Sequence, residues 1–215
     1  MPASELVVLY ADEALLVLDK PAGLLSVPGR GEDKQDCLSA RVQARYPDAL
    51  IVHRLDMATS GLMILARGAA MQRSLNDTFA NRRVTKRYIA VVDGHLEEPP
   101  DTWGVIDLPI LVDWPNRPLR KIDPEHGKPS MTRWRWLSYN STTNTTRIEL
   151  EPVTGRSHQL RVHLLAIGHP ILGDALYVSP PVQALSDRLL LHAQSLELAH
   201  PITGEPLHFF SAAAF

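Results

Sequence analysis

The chain has 215 residues, of which 45% are hydrophobic and 21% are charged, and its formal net charge is −2. This length and composition are typical of a globular protein with a sizeable buried core, and they exclude a disordered or fibrous chain. No apolar run approaches the ~20 residues that a membrane span needs, and the start lacks the basic and apolar regions of a signal peptide, so we expect a cytoplasmic protein with no membrane partner.

The first half of the chain predicts two pairs of strands and two helices. The predicted strands are residues 6–10, 15–18, 49–52 and 62–66. Residues 36–46 have helical character, and Met71, Leu75 and Phe79 lie four residues apart, which predicts one apolar helix face. The single cysteine, Cys37, cannot form an intramolecular disulfide, which agrees with a reducing compartment, and its surroundings indicate no catalytic role.

The second half predicts further strands and one more helix. The predicted strands are residues 84–92, 134–137 and 147–150. Residues 93–130 are rich in proline, glycine and charge, which predicts loops and short strands that decorate a sheet. Ser157 is predicted to cap a helix that ends before Gly168, with Leu160 and Leu164 facing the core.

Elements of these kinds in this order predict an α+β fold. We expect a mixed, mostly antiparallel sheet with peripheral helices. Neither an internal repeat nor a low-complexity tract interrupts the chain, so residues 1–215 are predicted to form a single domain.

The most informative segment is the polar loop between the predicted strands 49–52 and 62–66. Its sequence is His53-Arg54-Leu55-Asp56-Met57-Ala58-Thr59-Ser60-Gly61, which sets a carboxylate between an arginine and a turn-forming Thr-Ser-Gly. An aspartate at the rim of a buried sheet, with cationic neighbours, has the surroundings by which enzymes set the charge state of a carboxylate. Because structural ion pairs create similar surroundings, these residues leave open whether Asp56 is catalytic or caps a turn.

The distribution of charge points to a polyanionic partner despite the negative total. Residues 41–90 carry nine Lys/Arg against three acids, a balance of +6, so the remainder carries −8. A basic segment around a candidate active site is the electrostatic footprint expected for a nucleic acid. A helix with a solvated basic face would have the same composition, and composition does not separate the two.

Four segments resemble the motifs of one enzyme family, and they occur in that family's order. They are Asp19-Lys20-Pro21-Ala22-Gly23-Leu24, His53-Arg54-Leu55-Asp56 with Thr59-Ser60-Gly61, Lys86-Arg87-Tyr88-Ile89-Ala90, and Thr154-Gly155-Arg156-Ser157-His158-Gln159-Leu160-Arg161-Val162-His163. The family is the RluA-type pseudouridine synthases. Segments 168–174 and 191–193 also fit, so the resemblance covers nearly the whole chain.

The resemblance implies a fold and an activity. It implies the pseudouridine synthase catalytic fold and an isomerase that converts uridine in RNA to pseudouridine. The reaction needs no redox cofactor, and we expect no cofactor and no metal. Longer relatives carry an N-terminal S4-type RNA-binding domain, which we expect to be absent because strand character begins at residue 6.

The resemblance also implies roles for four residues. Asp56 would be the catalytic carboxylate, and it would either add to the ribose C1′ or abstract the 2′ proton, both of which require the ionised form. Arg161 would lower the pKa of that carboxylate. Tyr88 would stack on the uracil, and Arg54, two residues before Asp56, would occupy the space left by the extruded base. His53 is expected to order the loop or contact RNA and is not assigned a catalytic role.

Other hydrolytic chemistries fit the sequence poorly. His158 and His163 are five residues apart, unlike the i, i+4 pair of a zincin helix, and neither an HExxH motif nor a cysteine pair accompanies them. The segment Gly155-Arg156-Ser157-His158-Gln159 lacks the final glycine of a serine hydrolase elbow. A glycosidase would use two carboxylates, and only Asp56 lies in a convincing motif.

The remaining alternative is a non-catalytic protein on the same scaffold. Such a protein would bind RNA or assist its folding without turnover. The presence of Asp56, Tyr88 and Arg161 together argues against it, because binding alone does not need the carboxylate.

Three further segments resemble a short subgroup of the family that acts on both ribosomal and transfer RNA. They are residues 25–30, 56–58 and 107–118. The resemblance implies uridines in structured RNA loops as targets, in 23S ribosomal RNA and in a tRNA anticodon stem-loop. Within the third segment, Trp114 belongs either to an RNA-recognition loop or to ordinary packing. A monomer is the expected assembly.

Overall fold

The computed structural model describes residues 6–215. Within that range the chain forms twelve strands and four α-helices. The strands are β1 (Val7–Ala11), β2 (Leu15–Lys20), β3 (Ala49–Ile51), β4 (Ser60–Arg67), β5 (Thr85–Asp93), β6 (Gly104–Asp107), β7 (Ile110–Val112), β8 (Arg120–Ile122), β9 (Met131–Asn140), β10 (Thr145–Pro152), β11 (Leu191–Ala199) and β12 (Pro206–Phe210). The helices are α1 (Leu38–Gln43), α2 (Gly68–Ala80), α3 (Gln159–Ala166) and α4 (Pro180–Gln183), and a 3₁₀ turn covers Glu32–Lys34.

The chain divides into two compact units. The first contains the residues up to Lys86 together with Ala193–Ala214, and the second contains Arg87–His192 and Phe215. The expectation of one catalytic domain over residues 1–215 stays a prediction.

Antiparallel pairing builds the sheet of the first unit. β2 and β4 pair from Leu15 opposite Ala66 to Lys20 opposite Gly61. β1 pairs with β2, β3 pairs with the end of β4, and β12 pairs with β11, which lies next to β4. This register brings the end of β2 to the start of β4. The last residue of β3, Ile51, lies opposite Leu65, and residues 52–59 connect β3 to the start of β4.

The core of the first unit confirms the predicted helix face. Leu75 of α2 is fully buried, and Met71 and Phe79 pack against the same apolar cluster. The buried members of the cluster are Leu15, Val17, Leu62, Ile64, Ala66, Leu75, Val84, Leu196 and Leu198. Each large aliphatic side chain buried in this way contributes about 1.5–3 kcal/mol, so β4 is firmly held beneath the loop that precedes it.

The second unit has a four-stranded antiparallel sheet and a separate hairpin. Its strand order is β5-β10-β9-β6, with β5 and β9 on either side of β10. β7 and β8 form the two-stranded hairpin, and α3 packs against β8, β9 and β10. The segment 93–130 therefore contains short strands and loops, as predicted.

The predicted fold class is confirmed, and three helix boundaries differ from the prediction: both ends of α1, which stops at Gln43 rather than at residue 46, and the start of α3. The pairs β1–β2, β2–β4, β3–β4, β5–β10, β9–β10, β6–β9, β7–β8 and β11–β12 are antiparallel, while an isolated parallel bridge joins Leu25 to Cys37. That bridge keeps Cys37 extended and buried, so α1 starts at Leu38 rather than at residue 36. Ser157 does not cap α3, because His158 takes the N-cap position. None of the helices within residues 6–215 is long and apolar enough to cross a membrane.

Candidate active site

The four predicted site residues divide equally between the two units. Arg54 and Asp56 lie in the first unit, in the loop between β3 and β4. Tyr88 and Arg161 lie in the second unit, on β5 and α3.

The loop turns tightly at Asp56. The Asp56 carbonyl accepts a hydrogen bond from the Thr59 N–H at 3.1 Å, which closes a β-turn through Met57 and Ala58. Ser60 and Gly61 are buried in β4 rather than in the turn. The turn therefore spans residues 56–59 rather than the predicted Thr59-Ser60-Gly61, and it includes the candidate catalytic residue.

Main-chain hydrogen bonds hold the residue on each side of Asp56. The Ser26 hydroxyl donates to the Leu55 carbonyl at 2.7 Å and accepts from the Leu55 N–H at 3.1 Å. The Met57 carbonyl accepts from the Gly23 N–H at 2.8 Å and from Lys20 Nζ at 3.1 Å. We call these four bonds the backbone clamp; they hold the main chain around Asp56 without using its carboxylate.

Lys20 is a fully buried part of that clamp. Besides Met57, its Nζ donates to the carbonyls of Pro21 at 2.9 Å and Leu24 at 2.8 Å. Burial of an ammonium group is costly unless hydrogen-bond acceptors surround it, and here three carbonyl oxygens do so. The Asp-Lys-Pro-Ala-Gly-Leu motif therefore positions the Asp56 loop, a role that the sequence did not reveal.

His53 anchors the start of the loop. Its Nε2 accepts the Ile64 N–H of β4 at 2.9 Å, and its ring stacks on Phe79 of α2 with centroids 4.6 Å apart. Burial, together with the positive charge of Lys86, lowers the pKa of His53 to about 3. The imidazole is thus neutral with its proton on Nδ1, which agrees with its predicted role in ordering the loop.

Burial alternates along residues 54–56, which include two of the predicted site residues. Arg54 is exposed, Leu55 is buried and Asp56 is half-buried. Alternation of this kind agrees with the expectation that Arg54 and Asp56 point away from the side where Leu55 packs.

Gly61 sets the close approach of β4 to a neighbouring strand. Its φ is +108°, and a Cβ at this position would overlap the backbone of Ala193. The glycine that ends the loop motif is therefore required by packing of β4 within the first unit.

Ion pairs neutralise several arginines of the predicted basic segment, residues 41–90. Arg41, Arg67 and Arg83 pair with Asp36, Asp48 and Asp77, respectively. Arg54, Arg73 and Arg82 are exposed. The balance of +6 already includes Asp48 and Asp77, so the pairs that lower it are those with acids outside the segment, Arg41 with Asp36 and Arg87 with Glu151.

Tyr88 lies in β5 of the second unit. It is half-buried, and its register partner in β10 is Leu150. A half-buried aromatic ring on a strand keeps part of its surface accessible to a ligand.

Arg161 forms a buried bidentate ion pair that the sequence did not predict. Its Nε and Nη2 donate to the two carboxylate oxygens of Asp174 at 2.7 and 2.6 Å. The two side chains are 4% and 1% exposed. A fork of this kind fixes the plane of a guanidinium as well as its position.

Side chains of the Thr154–His163 motif dock α3 on β9. The Gln159 amide donates to the Met131 carbonyl at 2.9 Å and to Thr132 Oγ1 at 3.0 Å, and its oxygen accepts from Thr154 Oγ1 at 2.7 Å. His163 Nδ1 lies 3.0 Å from Thr132 Oγ1. Motif residues other than Arg161 therefore hold the helix that carries it.

The start of α3 has an uncommon backbone conformation. His158 adopts φ +58°, a left-handed conformation that costs a non-glycine residue about 1 kcal/mol or more. Its Nδ1 lies 2.6 Å from the Tyr177 hydroxyl, and the Arg161 guanidinium lies over the Tyr177 ring, 5.1 Å from its centroid. The side chain that bonds the main chain at this end is Gln159 rather than the predicted Ser157: its Oε1 accepts the Arg156 N–H at 3.0 Å.

His158 and His163, whose proximity suggested a metal hydrolase, have hydrogen-bond partners within the second unit. His163 Nε2 lies 2.9 Å from the Leu108 carbonyl, so both ring nitrogens have hydrogen-bond partners. Over residues 6–215, no group of three or more His, Cys, Asp or Glu side chains is arranged to hold a metal ion.

Comparison with known proteins identifies the family. The family model of RNA pseudouridylate synthases matches residues 14–166. The dual-specificity RNA pseudouridine synthase RluA of Escherichia coli K12 is 50% identical over 210 residues, which cover 98% of this chain and 94% of that protein. RluA of Yersinia pestis is 49% identical, with coverage of 98% and 100%.

A solved structure gives the same result. Human RNA pseudouridylate synthase domain containing 1 superposes with a TM-score of 0.79 and 29% identity, covering 99% of this chain and 86% of that one. The fold of this chain is thus also that of a solved pseudouridylate synthase domain. The chain belongs to the RNA pseudouridylate synthase family and is an isomerase that acts on RNA.

Proposed function

We propose that the protein converts specific uridines to pseudouridine in structured RNA loops, in 23S ribosomal RNA and in a tRNA anticodon stem-loop, with Asp56 as the catalytic residue. The observation that carries the proposal is the backbone clamp. It holds the main chain on both sides of Asp56 through Lys20, Gly23 and Ser26 and leaves the carboxylate outside these bonds. A side chain held this way meets the positioning requirement of a group that must act on one atom of a substrate.

The dual target follows from the relatives. RluA of Escherichia coli K12 has dual specificity and matches 98% of this chain. Its likeness to this chain supports two RNA targets rather than one.

The reaction is an isomerisation, so its atoms balance without a co-substrate. The C1′–N1 bond breaks, the uracil turns, and C5 joins C1′ while the C5 proton leaves and N1 gains one. Ionised Asp56 either adds to C1′ and is displaced when C5 joins C1′, or removes the 2′ proton and returns it once the new bond has formed. Because the conversion involves no net oxidation, it needs no redox cofactor.

Three other residues complete the proposed chemistry. Tyr88 stacks on the uracil through the accessible part of its ring, and its hydroxyl assists loss of the C5 proton. Arg161 binds the substrate, and Asp174 fixes the plane of its guanidinium. Exposed Arg54 occupies the space left by the extruded nucleotide and contacts phosphate.

The decisive experiment compares Asp56→Asn with the wild type on transcripts of 23S ribosomal RNA and tRNA. Pseudouridine is mapped by carbodiimide-dependent reverse-transcription stops, and RNA affinity is measured on the same preparations. We expect stops in a hairpin loop of each RNA with the wild type, none with Asp56→Asn, and nearly equal affinities. Asp101→Asn, at an exposed aspartate, is the matched control and should retain full activity.

The outcomes separate the alternatives. Modification by Asp56→Asn at the wild-type rate would remove Asp56 from the catalytic role. Tight binding by the wild type without stops on either RNA would support the non-catalytic RNA-binding or RNA-folding protein instead.

The proposal also covers location and assembly. We infer a monomer in the cytoplasm, where RNA substrates are present and where Cys37 remains a thiol. Light scattering coupled to gel filtration, with and without an RNA hairpin, measures the mass directly.

A further inference from the structure

The β7–β8 hairpin carries an exposed tryptophan at its tip. Trp114 is 62% exposed, and the Arg117 guanidinium lies over one face of its ring, 4.0 Å from the centroid. Among the residues that the structure describes, no carboxylate lies within 4.0 Å of Arg117 to form an ion pair. The tip therefore presents an open indole face beside a cation.

Hydrogen bonds within the tip hold this arrangement. The Asp113 N–H donates to the Leu119 carbonyl at 3.1 Å, and the Leu119 N–H donates to the Asn116 carbonyl at 3.0 Å. The Asn116 side-chain amide donates to the Asp113 carboxylate at 3.0 Å. Since these bonds close the turn on both sides of Trp114, the ring is presented by an ordered loop.

The base of the same hairpin is tied to the part of the second unit that holds Arg161. The Arg120 N–H of β8 donates to the Tyr177 hydroxyl at 2.9 Å, and Arg161 lies over the Tyr177 ring. His163 of α3 lies 2.9 Å from the carbonyl of Leu108, which precedes β7. A ligand held at the tip is thus held in a defined position relative to α3.

We propose that Trp114 and Arg117 form a stacking site for an unpaired base of the substrate RNA loop. The base stacks on the open face of Trp114, and the Arg117 guanidinium contacts the neighbouring phosphate. This inference rests on the proposed function, since it takes structured RNA as the substrate. It assigns the 113–118 segment, which the sequence left undecided, to recognition rather than to packing.

The chemistry of the tip favours RNA over a protein partner. Residues 115–118 after the tryptophan are exposed and are Pro115, Asn116, Arg117 and Pro118, so the tip presents one aromatic ring beside a cation, an amide and two prolines. Stable protein interfaces bury roughly 800 Å² of surface per partner, whereas this tip presents a single large aromatic ring. Every base has a π-face, and single-stranded RNA is recognised by stacking on aromatic rings with cations beside them.

The test measures binding and kinetics on an RNA hairpin that the wild type modifies. Trp114→Ala is expected to raise Kd and KM by roughly 5- to 100-fold, the range for loss of one base–aromatic stack, while kcat at saturating RNA stays near the wild-type value. Trp114→Phe should restore most of the affinity. Phe210→Ala, at an aromatic side chain that is 58% exposed on β12, is the matched control and should leave Kd unchanged.

Abasic substitution along the RNA loop locates the stacked base. In the wild type, one abasic position should weaken binding by about as much as Trp114→Ala does, and the same position should have little further effect on Trp114→Ala. Wild-type Kd and KM in Trp114→Ala would overturn the inference. So would equal sensitivity of both proteins at every abasic position.

The two proposals fail in distinguishable ways. If the wild type forms pseudouridine and Trp114→Ala is unimpaired, the stacking site is wrong and the proposed function stands. If the wild type binds the hairpin through Trp114 without forming pseudouridine in any RNA tested, the proposed function is wrong and the stacking site stands.

Discussion

The loop around Asp56 and the start of α3 are held in different ways. The loop is held through its main chain, by Lys20, Gly23 and Ser26 acting on Leu55 and Met57. The start of α3 is held through side chains, since Asp174 grips the Arg161 guanidinium itself.

The difference matches the proposed tasks of the two residues. A carboxylate that must react is best positioned by hydrogen bonds to the main chain of the adjacent residues. Such bonds do not use the carboxylate oxygens. A guanidinium that acts by its charge and orientation can be fixed directly, because a bidentate carboxylate sets its plane. Removing one partner from each region shows whether this contrast holds, and the four tests below run from the largest expected effect to the smallest.

Removal of Asp174 should cause the greatest loss. Asp174→Ala leaves the buried Arg161 guanidinium without its carboxylate, which typically costs about 3–5 kcal/mol, and it should also lower kcat. Urea unfolding measures the free-energy change. The control is Asp77→Ala, which breaks the exposed pair with Arg83 and should cost less than about 1 kcal/mol. Equal losses in the two variants would contradict the account.

Removal of Lys20 should weaken the backbone clamp. Lys20→Met leaves the carbonyls of Pro21 and Leu24 without their ammonium donor, and we expect a loss of about 2–3 kcal/mol. Because Asp56 is then less well positioned, kcat should fall while RNA affinity stays nearly constant. Lys34→Met, at an exposed lysine, serves as control. If Lys20→Met folds and its kcat is unchanged, the backbone clamp is not needed for catalysis.

Desolvation of the half-buried His53 imidazole should make stability depend on pH. The unfolded chain binds a proton on this imidazole below pH ~6.5, whereas the folded chain does so only near its pKa of about 3. The stabilisation is therefore complete above pH ~6.5 and is lost as the pH falls towards 3. Between pH 7.5 and 5 the free energy of unfolding should drop by about 2 kcal/mol from this residue.

His53→Gln should flatten that pH dependence, whereas His126→Gln, at an exposed histidine, should not. Burial also lowers the pKa of His163 in the second unit, so it contributes with the same sign. Denaturant unfolding at a series of pH values separates the two histidines. A slope that is identical in His53→Gln and the wild type would refute the assignment.

Tyr177 should give the smallest effect. Burial raises the pKa of Tyr177 to about 12, so its hydroxyl stays protonated while it accepts the Arg120 N–H. Tyr177→Phe loses the hydrogen bonds of this hydroxyl, at a cost of about 1 kcal/mol, and we expect kcat/KM to fall a few-fold. Tyr139→Phe, whose hydroxyl bonds Asn144 at 3.0 Å, is the control and should keep its activity. If the two variants were equally active, the Tyr177 hydroxyl would have no role in positioning α3.

Local patterns in the chain were sufficient for much of the fold. The apolar runs on either side of residues 53–59 predicted β3 and β4, and the four-residue spacing of Met71, Leu75 and Phe79 predicted the buried face of α2. These predictions succeed because strand alternation and helix periodicity are properties of neighbouring residues. The motif around Asp56 likewise led to the family that the comparisons confirm.

Local patterns failed where a side chain is used by a distant partner. Serine is a common N-cap residue, and Ser157 was therefore predicted to cap α3. His158 occupies that position instead, because the Tyr177 hydroxyl holds the His158 ring and the Gln159 side chain accepts the Arg156 N–H. Trp114, for which the sequence left recognition and packing both open, lies exposed.

From its residues alone the chain specified the strands β1–β5, β9 and β10, its long helix, its family and the loop that carries Asp56. The means by which the site is held came only with the fold: Lys20 binds Met57 across 37 residues, Ser26 binds Leu55 across 29, and Arg161 binds Asp174 across 13. A buried charge or hydroxyl must find a partner wherever the packed chain supplies one. That choice depends on which segments are brought together in space, and spacing along the chain does not record it.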